Sequence, residues 1–292
     1  MAKLDALKYA QQLSKGLNAL GIGDSAPVRA AKQLARRVVE KWFSENGELI
    51  VPVHGLRLSV PEARYLYLYR SYEPYTSELF VRAARTNAAV LDIGACFGYY
   101  SLLAAQVLEP GGVVYAFEPA PENFAVLVRN IELNGFTGTI FPERKAVGDH
   151  TSRQSLHLSQ FAENNSLAAE PLFPTIKEVV VDETTIDASV GDRRVALIKM
   201  DIEGFEPYAL AGMRHTLERN RDVILLTELN VDGLRGAGAR AEQFLDQLRE
   251  LGFQVQLIDE AERRLLPVTR EAIALAEAEP ARYSNLLCRR SD

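Results

Sequence analysis

Cysteine is scarce in this sequence: Cys96 and Cys288 are the two in 292 residues, without metal-site spacing and too few for a disulfide framework. This suits a reducing compartment and argues against a disulfide-stapled secreted domain. Positive charge is also short. The 33 Lys and Arg residues face 39 Asp and Glu, and a net charge of -6 argues against broad capture of nucleic acid phosphates by a basic surface. No run approaches the ~20 apolar residues of a bilayer-spanning helix. The opening "MAKLDALKYAQQLSKGLNALGIG" carries charges through its apolar positions and lacks a small-residue cleavage site. A cytoplasmic protein with a small-molecule partner is expected, with neither nucleic acid nor membrane as partner.

The apolar residues that are present fall into regular patterns. Leu4, Leu7, Leu13, Leu17 and Leu20 recur at roughly helical intervals, and "PVRAAKQLARRVVEKWF" repeats the pattern with Pro27 near a helix start. Residues 1–48 are therefore expected to be a helical N-terminal extension, packing on the main domain or pairing two copies of the chain. "ELIVPVHGLRLSV" reads as two short strands around a His-Gly turn, and the tyrosines of "YLYLYRSYEP" belong to a core or to the mouth of a site. From residue 78 helix and strand alternate: "SELFVRAAR", "AAVLDIG", "YYSLLAAQVL", "GVVYAFEP", "PENFAVLVRNIELNG". Such alternation implies a parallel sheet covered by helices on both faces. The pattern is interrupted at about 148–194, where "SRQSLHLS" and "KEVVVDETTID" read as added strands around the polar loop "FAENNSLAAEPLFP". It resumes with "VALIKMD", one helix over "EPYALAGMRHTLERN", "DVILLTELN", "ARAEQFLDQLRELG", "FQVQLID" and "YSNLLCRR". The expected organisation is an extension over 1–48 and one α/β domain over 49–292 that carries the insertion.

"VLDIGACFGYYS" sets Asp92, Gly94 and Gly98 at the turn from the first buried strand into a helix, where small residues allow close approach of backbone to a ligand. Glu118 ends the next strand about 20 residues further on, where an acid can accept hydrogen bonds from ribose hydroxyls. A dinucleotide and S-adenosylmethionine both present such a ribose. Cys96 interrupts the glycine fingerprint, which weakens the pyrophosphate reading and favours S-adenosyl-L-methionine. A nicotinamide-dependent oxidoreductase and a non-catalytic cofactor-binding module remain the alternatives.

Taken in order, "VLDIGACFGYYSLLAA", "AFEPAPENFAVLVRNIELNG", "KAVGD", "TTID" and "LIKMDIEGFEPYALAGM" resemble the FkbM-type family of S-adenosylmethionine-dependent methyltransferases, over roughly residues 50 to 290. The resemblance implies a class I methyltransferase, Rossmann-like doubly wound sheet of seven strands, mostly parallel with an antiparallel last strand. It also implies methylation of a hydroxyl oxygen on a natural product, small metabolite or sugar. Family positions carry over onto Gly94, Ala95 and Gly98 at the turn, Glu118 as the ribose acid, and Ala146 and Val147 as backbone beside the adenine. The cofactor-binding set expected is Glu73, Asp92, Gly94, Ala95, Gly98, Tyr99, Glu118, Pro119, Asn123, Ala146, Val147 and Asp201. Cys96 is expected to be a packed thiol.

"KMDIEGFEP" places Asp201, Glu203 and Glu206 after a buried strand, at the edge where open α/β sheets bind ligands. On an extended chain Asp201 and Glu203 would point the same way, and Lys199 would share their face. Together with Glu228 from the next strand end they are the expected catalytic residues, since an aliphatic hydroxyl needs a base to become a nucleophile. The same acids could instead hold the cofactor's ammonium, or a divalent cation with Asn230; no residue is assigned to a metal. Glu206 reads as a helix-start acid. Asn165 and Ser166, in the inserted loop, are the expected substrate-binding residues.

Overall fold

Residues 89–93 read "AVLDI", and all five are buried. A strand with no exposed face belongs in the interior of a sheet covered on both sides. The computed structural model describes residues 44–45, 48–60, 72–269, 273 and 283–290, in two units, Met1–Tyr72 and Glu73–Asp292. The division thus falls after Tyr72 rather than at residue 48.

In the first unit, β1 (Ser44–Glu45), β2 (Glu48–Val53) and β3 (Leu56–Ser59) form an antiparallel sheet. The expected His-Gly turn joins β2 to β3, with His54 and Gly55 both at positive φ. The expected N-terminal helices, any pairing of chains through them, and most of the tyrosine run lie outside the described residues.

The second unit is built on an eight-stranded sheet. The chain enters through helix α1 (Pro74–Ala83) and lays down β4 (Ala89–Ile93), α2 (Tyr99–Val107), β5 (Val113–Phe117), α3 (Pro121–Leu133) and β6 (Ile140–Glu143). It then returns to the other side of β4 with β10 (Val195–Met200) and β11 (Ile224–Asn230). The remaining strands are β12 (Phe253–Asp259), β13 (Arg264–Pro267) and β14 (Tyr283–Arg290). The order across the sheet is β13-β12-β14-β11-β10-β4-β5-β6. β6, β5, β4, β10 and β11 are parallel, and β14 lies antiparallel between β11 and β12. This is the class I methyltransferase order expected from the resemblance, extended by the edge strand β13, which is too short to stand out in the sequence. The order reverses between β4 and β10, and ligands bind at the carboxyl ends of the strands flanking such a switch point.

The insertion makes a separate three-stranded sheet of β7 (Ala146–Val147), β9 (Thr175–Thr184) and β8 (Ser152–Ser159), with a single 3-10 turn at Ala162–Asn164. A short helix α4 (Ile186–Val190) leads back into β10.

The single helix expected over 206–220 is instead two, α5 (Glu206–Ala211) and α6 (Arg214–Arg219). A Cβ on Gly212 would lie 2.0 Å from the carbonyl oxygen of Gly148, so the break falls where β7's exit loop presses against the chain. Asp187 then accepts from the backbone N–H groups of His215 and Thr216, satisfying donors that the start of α6 leaves open. Helices α7 (Val231–Gly236) and α8 (Ala241–Glu250) complete the unit; α8 buries Phe244, Leu245 and Leu248 on one face.

Candidate active site

The glycine turn after β4 serves packing. Gly94 N–H and Ala95 N–H donate to the carbonyl of Phe117, at 3.0 and 2.9 Å, and Gly98 N–H donates to the carbonyl of Ala95 at 2.7 Å. Cys96 N–H donates to Glu118 Oε2 at 2.9 Å. A pyrophosphate needs such N–H groups pointed at it; here those of Gly94, Ala95 and Cys96 bond to the end of β5 and that of Gly98 bonds within the turn. A Cβ on Gly94 would fall 1.9 Å from the carbonyl oxygen of Asp201, and one on Gly98 would fall 2.6 Å from Leu127. The glycines therefore let β4 approach β10 and α2 approach α3, and Gly94 also lines the cleft.

Glu118 closes β5 as expected. It is buried, lies on the wall of a cleft, and accepts from Cys96 N–H and from Ala120 N–H at 2.8 Å. Each carboxylate oxygen keeps acceptor capacity for a ribose hydroxyl. Burial pushes its pKa up to about 7 against the lowering effect of the Ala120 and Cys96 N–H groups. Gly94, Pro119, Asn123, Ala146, Val147, Asn165, Asp201 and Glu203 also line this cleft, as the sequence suggests.

Other expected site residues are not on that wall. Asp92 turns toward α2, accepting from Ser101 Oγ at 2.5 Å, and burial raises its pKa to about 6. Glu73, a half-buried residue before α1, accepts from Tyr100 OH at 2.9 Å and Asn285 Nδ2 at 2.6 Å. Tyr99 OH lies 3.1 Å from Ser77 Oγ, and Ala95 is buried in the turn. These four, with Gly98, position the strand ends instead of facing the cleft. Ser166 is also a correction: its Oγ donates to the backbone carbonyl of Glu203 at 3.2 Å, tying the insertion to the acid turn. Cys96, expected to be packed away, lines the cleft. Burial and the Glu118 charge raise its thiol pKa well above the usual value, which disfavours the thiolate.

The insertion, expected near the ligand edge, lines the cleft with Ala162, Glu163 and Leu167 beside Asn165; these three and Phe205 are not among the expected site residues. Asn123 makes the link, donating from Nδ2 to the carbonyl of Ala162 at 2.9 Å. Asn123 at the buried start of a helix was the available signal.

At the carboxyl ends of β10 and β11, Asp201, Glu203 and Glu228 each bring an oxygen within 4.8 Å of the others. An extended chain does not do this. Glu203 adopts φ 55°, a left-handed conformation uncommon outside glycine, and Gly204 follows at φ 98°. Asn230 Nδ2 donates to Glu203 Oε2 at 3.0 Å and holds the side chain. Burial, then the charges of Asp201 and Glu206, push Glu203 up to about 8. Burial and the same neighbouring acids raise Glu228 well above its ordinary value. Glu206 is fully buried at the start of α5 and accepts from Ile202 N–H at 3.0 Å, in keeping with a helix-start role. Lys199 is 1% exposed and donates to Asp201 Oδ2 at 3.0 Å. Burial alone would lower the Lys199 pKa, but Asp201, Glu73 and Glu228 together raise it.

A class I methyltransferase fold with a buried acid at the end of β5 and a carboxylate cluster at its switch point defines the class of protein. The Methyltransferase FkbM domain matches residues 92–255, and the chain belongs to that family. It is 27% identical over 233 residues to the 31-O-demethyl-FK506 methyltransferase FkbM of Streptomyces tacrolimicus, covering 68% of this chain and 85% of that protein. It is 28% identical over 211 residues to the hexuronic acid methyltransferase AglP of Haloferax volcanii, covering 70% and 84%. The crystal structure of methyltransferase FkbM from Methylobacillus flagellatus KT aligns at a TM-score of 0.45 and 20% identity, covering 77% of this chain. This chain spans about half, 52%, of that protein's length.

The chain is thus a methyltransferase, with S-adenosyl-L-methionine as its cofactor, and its residues fit that group. Glu118 offers acceptors for the ribose, Phe117, Leu156 and Val147 offer apolar wall for the adenine, and the acids offer negative charge for a sulfonium. Because Glu118 is protonated below about pH 7, hydroxyl donors bind it best above that pH. The affinity for S-adenosylhomocysteine is expected to rise about tenfold from pH 6 to pH 8 by proton linkage. Calorimetry across that range measures it, and Glu118→Gln should flatten the profile.

Proposed function

We propose that this protein is an O-methyltransferase that acts on a hydroxyl of a small polyhydroxylated metabolite, natural product or sugar. One observation carries the reading: three carboxylates converge beside the cofactor cleft at the sheet's switch point. The names of the relatives, a 31-O-demethyl-FK506 methyltransferase and a hexuronic acid methyltransferase, support the same acceptor chemistry.

When bound, the cofactor supplies a methyl group on a sulfonium, open to in-line displacement by an oxygen. Glu203, whose proton affinity is raised by burial and by Asp201, takes the hydroxyl proton as the oxygen–methyl bond forms and the sulfur–methyl bond breaks. Lys199 holds Asp201 in place at 3.0 Å, and Asn230 holds Glu203. The insertion carries Asn165 and Glu163 to the cleft wall, where they face an acceptor. Against hydride transfer from a nicotinamide dinucleotide stands the turn after β4, whose N–H groups at Gly94, Ala95, Cys96 and Gly98 are bonded to protein.

Incubating the protein with methyl-labelled S-adenosyl-L-methionine and an extract of its own cells, then identifying the labelled product, tests this reading. The label is expected as a methyl ether. Label on nitrogen, or tight NAD binding without S-adenosylhomocysteine binding, would overturn it.

A further inference from the structure

We infer that Asp201, Glu203 and Glu228 form the seat of one divalent cation of the oxygen-ligand class, and that an acceptor hydroxyl is held on that cation. The second clause rests on the O-methylation proposed above; the first does not.

Three acids in proximity do not by themselves make a site, because they can simply protonate. Here Glu228 is 5% exposed, and its Oε2 has no hydrogen-bond partner among the described residues. A buried carboxylate oxygen without a donor is costly and calls for an explanation. The other two acids are already oriented. Asp201 Oδ2 receives Lys199 Nζ, and Glu203 Oε2 receives Asn230 Nδ2, each at 3.0 Å. Glu228 stands on β11 with no such donor for Oε2, and one of its carboxylate oxygens joins the same group.

The spacing matches an ion. A magnesium-like ion with oxygens at ~2.1 Å holds adjacent ligands ~3 Å apart, and a calcium-like ion at ~2.4 Å holds opposite ligands ~4.8 Å apart. Oxygens within 4.8 Å of one another reach either arrangement by small side-chain rotations. No histidine or cysteine belongs to the group, so the donor set is hard and selects magnesium, manganese or calcium over zinc or copper.

The left-handed turn at Glu203 is what allows the grouping, because it swings that carboxylate back toward the end of β11. Asn230 and the Ser166 bond to the Glu203 carbonyl fix the turn, as the supports of a metal ligand commonly do. An ion seated here opens onto the cleft through Asp201 and Glu203, both of which line it. Its remaining coordination positions would take water or acceptor oxygens, and a metal-bound hydroxyl gives up its proton more readily.

A second group, Asp149, His150 and Glu183, also meets the distance test, and Glu183 Oε1 is likewise without a partner among the described residues, but two of its three members are exposed and one is a histidine. His150 is bonded to Asp149, and Glu183 Oε2 already accepts from Ser152 and Gln154. It serves as the internal control.

The test is titration of the chelator-treated, full-length protein with manganese(II), reading free manganese by electron paramagnetic resonance, without acceptor present. One saturable site is expected, tighter than ~1 mM, the weak end of carboxylate sites for such ions. Glu228→Gln should weaken it ~10-fold or more, since even supporting residues commonly cost that much. His150→Ala should leave it unchanged. In chelator, Glu228→Gln should melt no lower than the parent protein, because glutamine is nearly isosteric with glutamate and Oε2 has no hydrogen bond to lose among the described residues. Should that variant fail to fold, Glu203→Gln carries the same manganese readout. Absence of saturable binding, or equal binding by both the parent and the folded glutamine variant, overturns the site. Full-rate methyl transfer in excess chelator overturns the role in holding the acceptor while leaving O-methylation intact. Manganese binding without any methyl transfer would leave the site standing and remove the functional reading instead.

Discussion

Lys199→Met is expected to destabilise the native state by ~3–5 kcal/mol, the usual cost of removing one partner from a buried charge group. Methionine fills much of the lysine's volume, so the loss is electrostatic more than steric. Lys199 Nζ is bonded to Asp201 Oδ2 and sits 5.1 Å from the centre of the Tyr100 ring. Its charge also acts on Glu73 and Glu228. Without it those carboxylates face one another in a water-poor region, and they respond by holding protons. The sign with pH follows. Their native pKa values rise further above the unfolded value of about 4.5, so the native state binds protons that the unfolded state has released. Stability of the variant should therefore fall as pH rises from 5 to 8, more steeply than in the parent protein. Urea unfolding at both ends of that range measures it. A uniform loss at every pH would mean that packing, not charge, was what Lys199 contributed.

The parent protein carries a weaker form of the same dependence. Asp92 titrates at about 6, and Glu118 and Glu206 at about 7, each pushed up chiefly by burial. The stability these groups lend is fully present only below about pH 4 and is lost as pH rises through 6 to 7.

The centre of the sheet was legible because its strands begin on apolar runs bounded by turn residues. Leu91, Ile93, Leu197, Ile198 and Leu225 are fully buried, and their runs stand out without any structure. Strand ends were legible for the same reason: an acid that follows such a run, as Glu118 or Asp201 does, marks where the chain leaves the sheet. The facing of side chains at those ends was not. Asp92 and Gly94 belong to one short motif, yet Asp92 turns to Ser101 under α2 while Gly94 meets the cleft. Strand alternation gives relative facing only, and it fails once the chain leaves the extended state. Glu203 shows this most clearly. Its grouping with Asp201 was expected from extended geometry, and it comes from a left-handed turn instead.

Long-range contacts were the other blind spot. Ser166 looked like a loop residue available to substrate, because nothing in "NNSL" indicates that its hydroxyl reaches a carbonyl 37 positions away. The split between α5 and α6 depends likewise on Gly148, remote in sequence from Gly212. Glycines in particular report on backbones that come close from elsewhere, and the identity of that neighbour is fixed by the fold alone.

That distinction sets the second large effect. Gly94→Ala is expected to cost more than ~4 kcal/mol or to prevent folding, which places it among the severe substitutions. The added methyl would lie 1.9 Å from the Asp201 carbonyl oxygen and 2.9 Å from its carbonyl carbon, atoms of main chain that cannot rotate away. Relief would require β10 to retreat from β4, straining the Asp201 N–H bond to the carbonyl of Ile93, now 3.0 Å. Gly98→Ala shares a positive φ but meets the tip of Leu127, a flexible side chain, and should cost less. Gly135→Ala, at φ 72° with nothing within 4 Å, isolates the backbone term of ~1–2 kcal/mol. The three variants should therefore rank Gly94, Gly98, Gly135 by urea unfolding. If Gly94→Ala folds at all, the displaced end of β10 carries Asp201 and Glu203 away from the cleft. A shift of ~1 Å in a reacting group is enough to lower the rate ~100-fold. A Gly94→Ala protein no less stable than Gly135→Ala would show that the turn had been kept open for a ligand after all.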